Sequence, residues 1–240
     1  MRRFSLLAAF VLLLAAPVMA EDSPMEFGGW GGVSLGAQYL SVDDINSEVD
    51  AYGVEFQNIG PRIGVHGHGL LFERLVIGGR GSVTAQLDET GLYDVTYTVT
   101  NGSVEIGYAV MNSAYGIAFP SVGLGGASQV VRFETNVEIG GEPWQADDVE
   151  IAKSSVYATV GMTYYFPVRF AGGESRGFAM FLPGIHVGGT LQVADTGWRN
   201  DHAEAVRFSA DAPYNTVFVQ LDLAFGGGVK SESPMPLTVK

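Results

Sequence analysis

The chain has 240 residues, no cysteine and a formal charge of −13, from 13 basic and 26 acidic residues. Without Cys there are no disulfides, thiolate metal ligands or thiol nucleophile, and no lipid anchor attached to a cleavage-site Cys. The acidic balance excludes nucleic acid as a natural partner, since phosphate backbones are held by basic patches.

Residues 1–20 read as a secretory signal peptide: Arg2 and Arg3, an apolar run from Phe4 to Ala16, then small residues at Val18-Met19-Ala20 before Glu21. The apolar run is shorter than the roughly 20 residues a helical span needs. Removing it leaves 11 basic against 26 acidic residues, a charge of −15.

The rest alternates apolar and polar residues, the period of a strand with one oily and one wet face. Val33, Leu35, Ala37 and Tyr39 share a face of the first strand, about 30–40. In the second, about 62–69, Ile63 and Val65 oppose Arg62, His66 and His68; in the third, about 75–85, Leu75, Ile77 and Val83 oppose Arg80, Ser82 and Thr84. Further strands are predicted over 93–110, 114–133, 151–166 and 178–193. The last, Asn215 to Phe225, puts Val217, Val219, Leu221, Leu223 and Phe225 on one face and Thr216, Gln220, Asp222 and Ala224 on the other.

The connections alternate in length. Those over 41–60, 134–150 and 194–213 are long and 86–92 is medium, while those at 70–74, 111–113 and 172–173 are shorter. Transmembrane β-barrels sort their loops this way, with longer extracellular loops and short periplasmic turns. The fold predicted is therefore all-β, an antiparallel up-and-down transmembrane β-barrel of eight strands with both termini periplasmic. Asn101-Gly102 is a hairpin signal that would split the fourth strand; with Tyr52, Val54 and Phe56 as a further strand the alternative count is ten. Eight keeps the loop alternation.

A repeat relates Pro120–Gln129 to Pro183–Gln192, with the pattern Pro-x-(Val/Ile)-x-(Leu/Val)-Gly-Gly-x-x-Gln. Apolar parity switches at both prolines, which predicts a bulge there. Two long loops are acidic. Asp43, Asp44, Glu48, Asp50 and Glu55 lie in one, and Glu134, Glu138, Glu142, Asp147, Asp148 and Glu150 in the other, with no Lys or Arg in either. Solvation accounts for them; divalent cations bridging them to lipopolysaccharide are the functional reading.

The predicted inner face carries Arg62, Arg80, Glu105 and Asp222, with His66, His68 and His186. Buried charges must be paired, so a lumen network of Arg62, His66, Arg80, Glu105, His186 and Asp222 is expected. His66, Ser82 and Glu105 on consecutive strands supply a base, a hydroxyl and an acid, the set acyl transfer uses. No Gly-x-Ser-x-Gly elbow accompanies them, so an enzyme is not the favoured reading. His66-Gly-His68 lacks a third metal ligand; no metal and no cofactor are expected.

With alternating strands, sorted loops and a terminal strand ending in Phe225, the chain resembles small outer-membrane β-barrels of the OmpA-transmembrane-domain, OmpX and OmpW kind. The resemblance implies an outer-membrane location in a Gram-negative bacterium, insertion by the barrel-assembly machinery, and contact with outer-membrane lipid and lipopolysaccharide. The predicted layout is a periplasmic segment over 21–29, the barrel over 30–225 and a flexible tail over 226–240. The expected role is structural, adhesive or envelope-stabilising through the acidic loops. A narrow porin-like channel for small solutes and a lipid A-modifying acyl hydrolase or transferase are the alternatives.

Overall fold

The computed structural model describes residues 25–230, apart from 91–92, 136, 140–141, 145–148, 171–176, 201–207, 209 and 211. The expected signal peptide and residues 231–240 of the expected tail lie outside the described residues. Eight long strands make the wall: β1 (Met25–Tyr39), β2 (Ile59–Leu71), β3 (Leu75–Glu89), β4 (Tyr93–Tyr108), β5 (Ile117–Thr135), β6 (Val149–Tyr165), β7 (Gly177–Asn200) and β8 (Thr216–Lys230). Each pairs antiparallel with its chain neighbours, and β8 pairs with β1 from Tyr39↔Val217 to Met25↔Lys230, closing the ring. The count is eight.

Closure has a consequence for side chains. A ring of eight strands leaves an interior just wide enough for side chains to fill. Along every strand, residues alternate between that interior and a broad apolar exterior, where Leu35, Val65, Ile106, Leu124, Val187 and Leu221 are all exposed. A soluble protein does not carry an apolar surface of this extent. Exposed Phe72, Tyr108, Tyr115, Phe166, Phe170 and Phe225 gather at the end with the short turns, as an aromatic girdle does at a membrane interface.

Asn101-Gly102 is neither a turn nor a bulge. Both residues lie inside β4, in unbroken register with Gly81–Ser82 of β3 and Gly126–Ala127 of β5. The parity switch is real but has another cause. Val95, Tyr97 and Val99 point inward and are buried, whereas Val104, Ile106 and Tyr108 point outward. The interior changes from apolar to polar along the barrel, so the apolar residues change face while the strand runs straight on.

The bulges expected at Pro120 and Pro183 are corrected in the same way. Both prolines sit in continuous register, Pro120↔Met162 and Pro183↔Leu223, with no shift. Ile117, Phe119, Met180 and Leu182 face a second apolar interior layer at the short-turn end. The register shifts that do occur in the β6–β7 pair fall at Gln192/Ala194 and Asp195/Trp198, near the long-loop end.

The Gly-Gly of the repeat also gains a physical role. The first glycine of each pair faces inward: Gly125 leaves room for the Tyr157 ring and Gly188 for the Phe218 ring, so a Cβ at either would collide. Gly161 does the same for His186, and Gly184 for Tyr165. The second glycine of each pair, Gly126 or Gly189, faces outward. Inward glycines are sockets that let large side chains cross a narrow lumen.

The ends differ from expectation. β1 begins at Met25, and β8 continues through Gly226-Gly227-Gly228 to Lys230, paired on both edges. Residues 226–230 therefore belong to the wall and not to a tail. Tyr52, Val54 and Phe56 form no strand. The β1–β2 loop instead folds helix α1 (Asp43–Val49) and a 3-10 turn (Asp50–Tyr52) into the barrel mouth. Asp43 and Asp44 favour the N-terminal end of α1, and Ile45 and Val49, one turn apart, bury on its inner face. The β3–β4 connection is shorter than predicted, because β3 extends to Glu89 and β4 starts at Tyr93. The β5–β6 connection, expected as a loop, carries a small hairpin of Val137–Ile139 with Glu142–Trp144.

Candidate functional site: a stoppered polar lumen

Three layers fill the interior. At the long-loop end, Val42, Ile45, Val49, Val54 and Phe56 of the β1–β2 loop pack on Val95, Tyr97, Val131, Tyr157 and Tyr214. The Asn46 amide holds this cap in shape, donating to Phe56 O and accepting from Phe56 N, both at 2.8 Å. At the short-turn end, Trp30, Phe119, Tyr165, Met180 and Leu182 form an aromatic and aliphatic floor. Beneath it the Asn112 side chain donates to Met25 O (2.7 Å) and Glu73 O (3.0 Å), tying two turns to the start of β1.

Between cap and floor lies the polar layer. Arg62, His66, Arg80, Glu105, His186 and Asp222 are all buried there, on β2, β3, β4, β7 and β8. Arg80 is its hub. Its Nη1 donates to Asp222 Oδ2 at 2.9 Å, its Nη2 to Thr163 Oγ1 at 3.3 Å, and its Nε lies 3.6 Å from Glu105 Oε2. Tyr165 donates a further hydrogen bond to Asp222 at 3.0 Å. His66 Nδ1 meets Ser34 Oγ at 3.0 Å and stands 3.8 Å from Asp222. His68 stands 3.9 Å from Glu105, and His186 Nδ1 meets Thr163 Oγ1 at 2.8 Å. Pairing of this kind is what lets charges stay buried.

The network differs from expectation in one member. Among the described residues, no carboxylate lies within 4.0 Å of Arg62. Its Nη1 donates to Gln38 Oε1 at 2.6 Å and its Nη2 to Asn101 Oδ1 at 3.3 Å, and the guanidinium lies 4.2 Å over the Phe218 ring. The partners Ser34, Gln38, Asn101, Thr163 and Tyr165 complete the layer. Inward parity on their strands is the signal that finds the first two and Thr163; Asn101 is hidden by its resemblance to a turn.

Ser82, His66 and Glu105 do not form a catalytic set. Ser82 Oγ accepts from Asn101 Nδ2 at 2.7 Å, His66 turns to Ser34, and Glu105 accepts from Ser103 and Ser121. His66 uses one nitrogen, Nδ1, toward both Ser34 and Asp222, so it bridges no hydroxyl to an acid through its two ring nitrogens. Among the described residues no group of three or more His, Asp or Glu side chains could hold a metal ion.

Among the described residues, several lumen atoms have no hydrogen-bond partner: His66 Nε2, both nitrogens of His68, His186 Nε2, Gln38 Nε2, Arg62 Nε, Thr84 Oγ1 and Tyr214 OH are examples. A buried polar atom left unsatisfied costs about 1–3 kcal/mol. At the mouth, Lys153 is buried and reaches Asp195 at 3.2 Å and Ala212 O at 3.3 Å. Of the acidic residues expected in the 134–150 loop, Glu134 pairs with Arg132 at 3.2 Å; the side chains of Glu138, Glu142, Asp147 and Asp148 lie outside the described residues.

A closed antiparallel ring with an apolar exterior and a charge-paired interior defines a transmembrane β-barrel, and that is the class of fold the chain has. No protein family and no curated protein matches the sequence. Solved structures similar to the chain include the attachment invasion locus protein Ail of Yersinia pestis, at 10% identity and TM-score 0.44, covering 86% of this chain and all of Ail. The outer membrane protein OprG of Pseudomonas aeruginosa matches at 11% identity and TM-score 0.40, covering 88% of this chain and 98% of its own. A major outer membrane protein of Thermus thermophilus matches at 8% identity and TM-score 0.37, with 85% and 99% covered.

Proposed function

We propose that this protein is an integral outer-membrane barrel that does not conduct, and that it acts through its acidic long-loop surface in an envelope-stabilising role. The observation that carries this reading is the double stopper. The α1 cap with its Val42–Phe56 side chains fills one end, and the Trp30–Phe119–Tyr165 floor fills the other. A solute path would have to displace two apolar layers and the Arg80 ion pairs between them.

In this reading both termini lie in the periplasm, which puts the α1 cap with Asp43, Asp44, Glu48, Asp50 and Glu55 outside the cell. Divalent cations bridge these carboxylates to the phosphates of lipopolysaccharide, since hard cations take several oxygen ligands. The barrel-assembly machinery inserts the chain. The test combines two measurements. Purified protein in planar bilayers should show no stepwise conductance, and cells lacking it should admit detergents and large antibiotics more readily, with rescue by the wild-type chain. Rescue must weaken when the five acidic residues are changed to Asn or Gln in a barrel that still migrates as folded when unboiled. Steady single-channel steps would overturn the non-conducting reading, and full rescue by the neutralised loop would overturn the role of the acidic surface.

A further inference from the structure

Among the described residues, Arg62 is a buried full charge served only by neutral groups. We propose that Arg62, directly under the α1 cap, holds one small monovalent inorganic anion of about the size of chloride between its guanidinium and the neighbouring donors.

Four unpartnered polar atoms belong to residues at this level of the barrel: Arg62 Nε, Gln38 Nε2, Thr84 Oγ1 and Tyr214 OH. All four residues are at least nine-tenths buried. Gln38 is fixed beside the guanidinium by the Nη1 hydrogen bond, and the Tyr214 hydroxyl stands next to it. The register Gly64↔Ser82 and Ile63↔Val83 brings Thr84 opposite Arg62 on the adjoining strand. Every one of these atoms can donate a hydrogen bond: a guanidinium N–H, an amide NH2 and two hydroxyls. The Arg62 acceptors, Gln38 Oε1 and Asn101 Oδ1, are already used by its two terminal nitrogens.

A set of donors around an uncompensated cation selects an anion over water or a metal ion. A water would satisfy some donors but leave the charge unmatched, and a cation is repelled. The other lumen carboxylates are engaged elsewhere, Asp222 and Glu105 by Arg80. The apolar cap above, from Leu40 to Phe56, removes competing solvent and strengthens the ion–donor contacts. Monovalent charge matches the single guanidinium. Small size follows from burial: the Phe218 ring lies 4.2 Å from the guanidinium, and Tyr157 and Tyr214 are buried in the layer above.

The full-length mature protein, refolded into detergent micelles in either sodium bromide or sodium gluconate, tests this directly. Gluconate is too large to enter. The Arg62 Nε–H proton resonance should move by several tenths of a part per million between the two salts, saturating as bromide is added during refolding. Thr84→Val, which keeps the charge and removes one donor, should raise the bromide concentration at half-saturation severalfold while the unboiled protein still migrates as folded. An Nε–H resonance identical in both salts, with cross-peaks to water only, would overturn the site, as would an unchanged half-saturation in Thr84→Val.

Discussion

Arg80 and Asp222 stand 142 positions apart in the chain, yet Arg80 Nη1 donates to Asp222 Oδ2 at 2.9 Å across the lumen. This bond ties β3 to the closing strand β8. Neither side chain sees solvent to any extent, so each depends on the other. Asp222→Ala leaves a buried guanidinium without its nearest counter-charge and should destabilise the barrel by about 3–5 kcal/mol. Arg80→Met with Asp222→Leu and Glu105→Gln removes all three linked charges and should recover much of that loss. Urea unfolding in micelles, read from the unboiled and boiled gel bands, measures both. Equal stability of the single variant and wild type would show that the pair is not what holds these strands.

The Gly125-Gly126 pair separates interior from exterior at adjacent positions. A Cβ on Gly125 meets the Tyr157 ring, whereas one on Gly126 meets nothing closer than Ser155 O at 3.8 Å. Gly125→Ala should therefore cost about 1–3 kcal/mol through overpacking. Gly126→Ala should be neutral or slightly stabilising, because Ala restricts the unfolded chain more than Gly does. The same urea titration distinguishes them, and the reverse order would invert the assigned faces.

Leu221 points outward at 60% exposure, paired with Leu35 on β1 and Ile185 on β7. In a bilayer, Leu221→Arg should lose about 2–4 kcal/mol near the midplane. On a water-facing surface the same change is close to neutral. Folding into phospholipid vesicles at a series of denaturant concentrations gives the answer, and an unchanged midpoint would mean that this face does not meet lipid.

Replacing residues 41–57 by a short turn removes the α1 cap but leaves the Trp30–Phe119–Tyr165 floor. Planar bilayers should then still show no conductance. Opening should need the cap deletion together with floor truncations such as Trp30→Gly and Phe119→Ala. Conductance from the cap deletion alone would place the whole barrier at the mouth.

The wall is readable in the sequence because period-two alternation survives wherever one face meets lipid and the other polar groups. Val219 to Leu223 shows this, with Gln220 and Asp222 inward between exposed Val219, Leu221 and Leu223. It misleads where the interior turns apolar, as at Tyr97 and Phe119, since the pattern records polarity and not direction. That is why Asn101 looks like a turn and Pro120 like a bulge. The lumen charges are found by parity alone, and five of the six expected members do meet acidic, hydroxyl or imidazole partners across the ring. Which of them touch depends on side-chain reach over several strands, so His68 facing Glu105, and Arg62 facing no acid among the described residues, follow only from three-dimensional placement. The α1 cap is hidden for another reason. Its apolar residues are few and irregularly spaced, and their burial depends on a cavity that exists only when the ring is closed.

Trp30 sits on the first strand directly opposite Gly226 on the last, where an added Cβ would strike Gly29 O and the Trp30 Cα and Cβ. The floor around the Trp30 ring draws Met180 and Leu182 from β7 and Ala224 from β8 as well as Trp30 from β1. It is complete only when the seam between the first and last strands has closed. Partly built barrels should therefore gain little from the aromatic floor, and opening of the seam should unfold the barrel in one step.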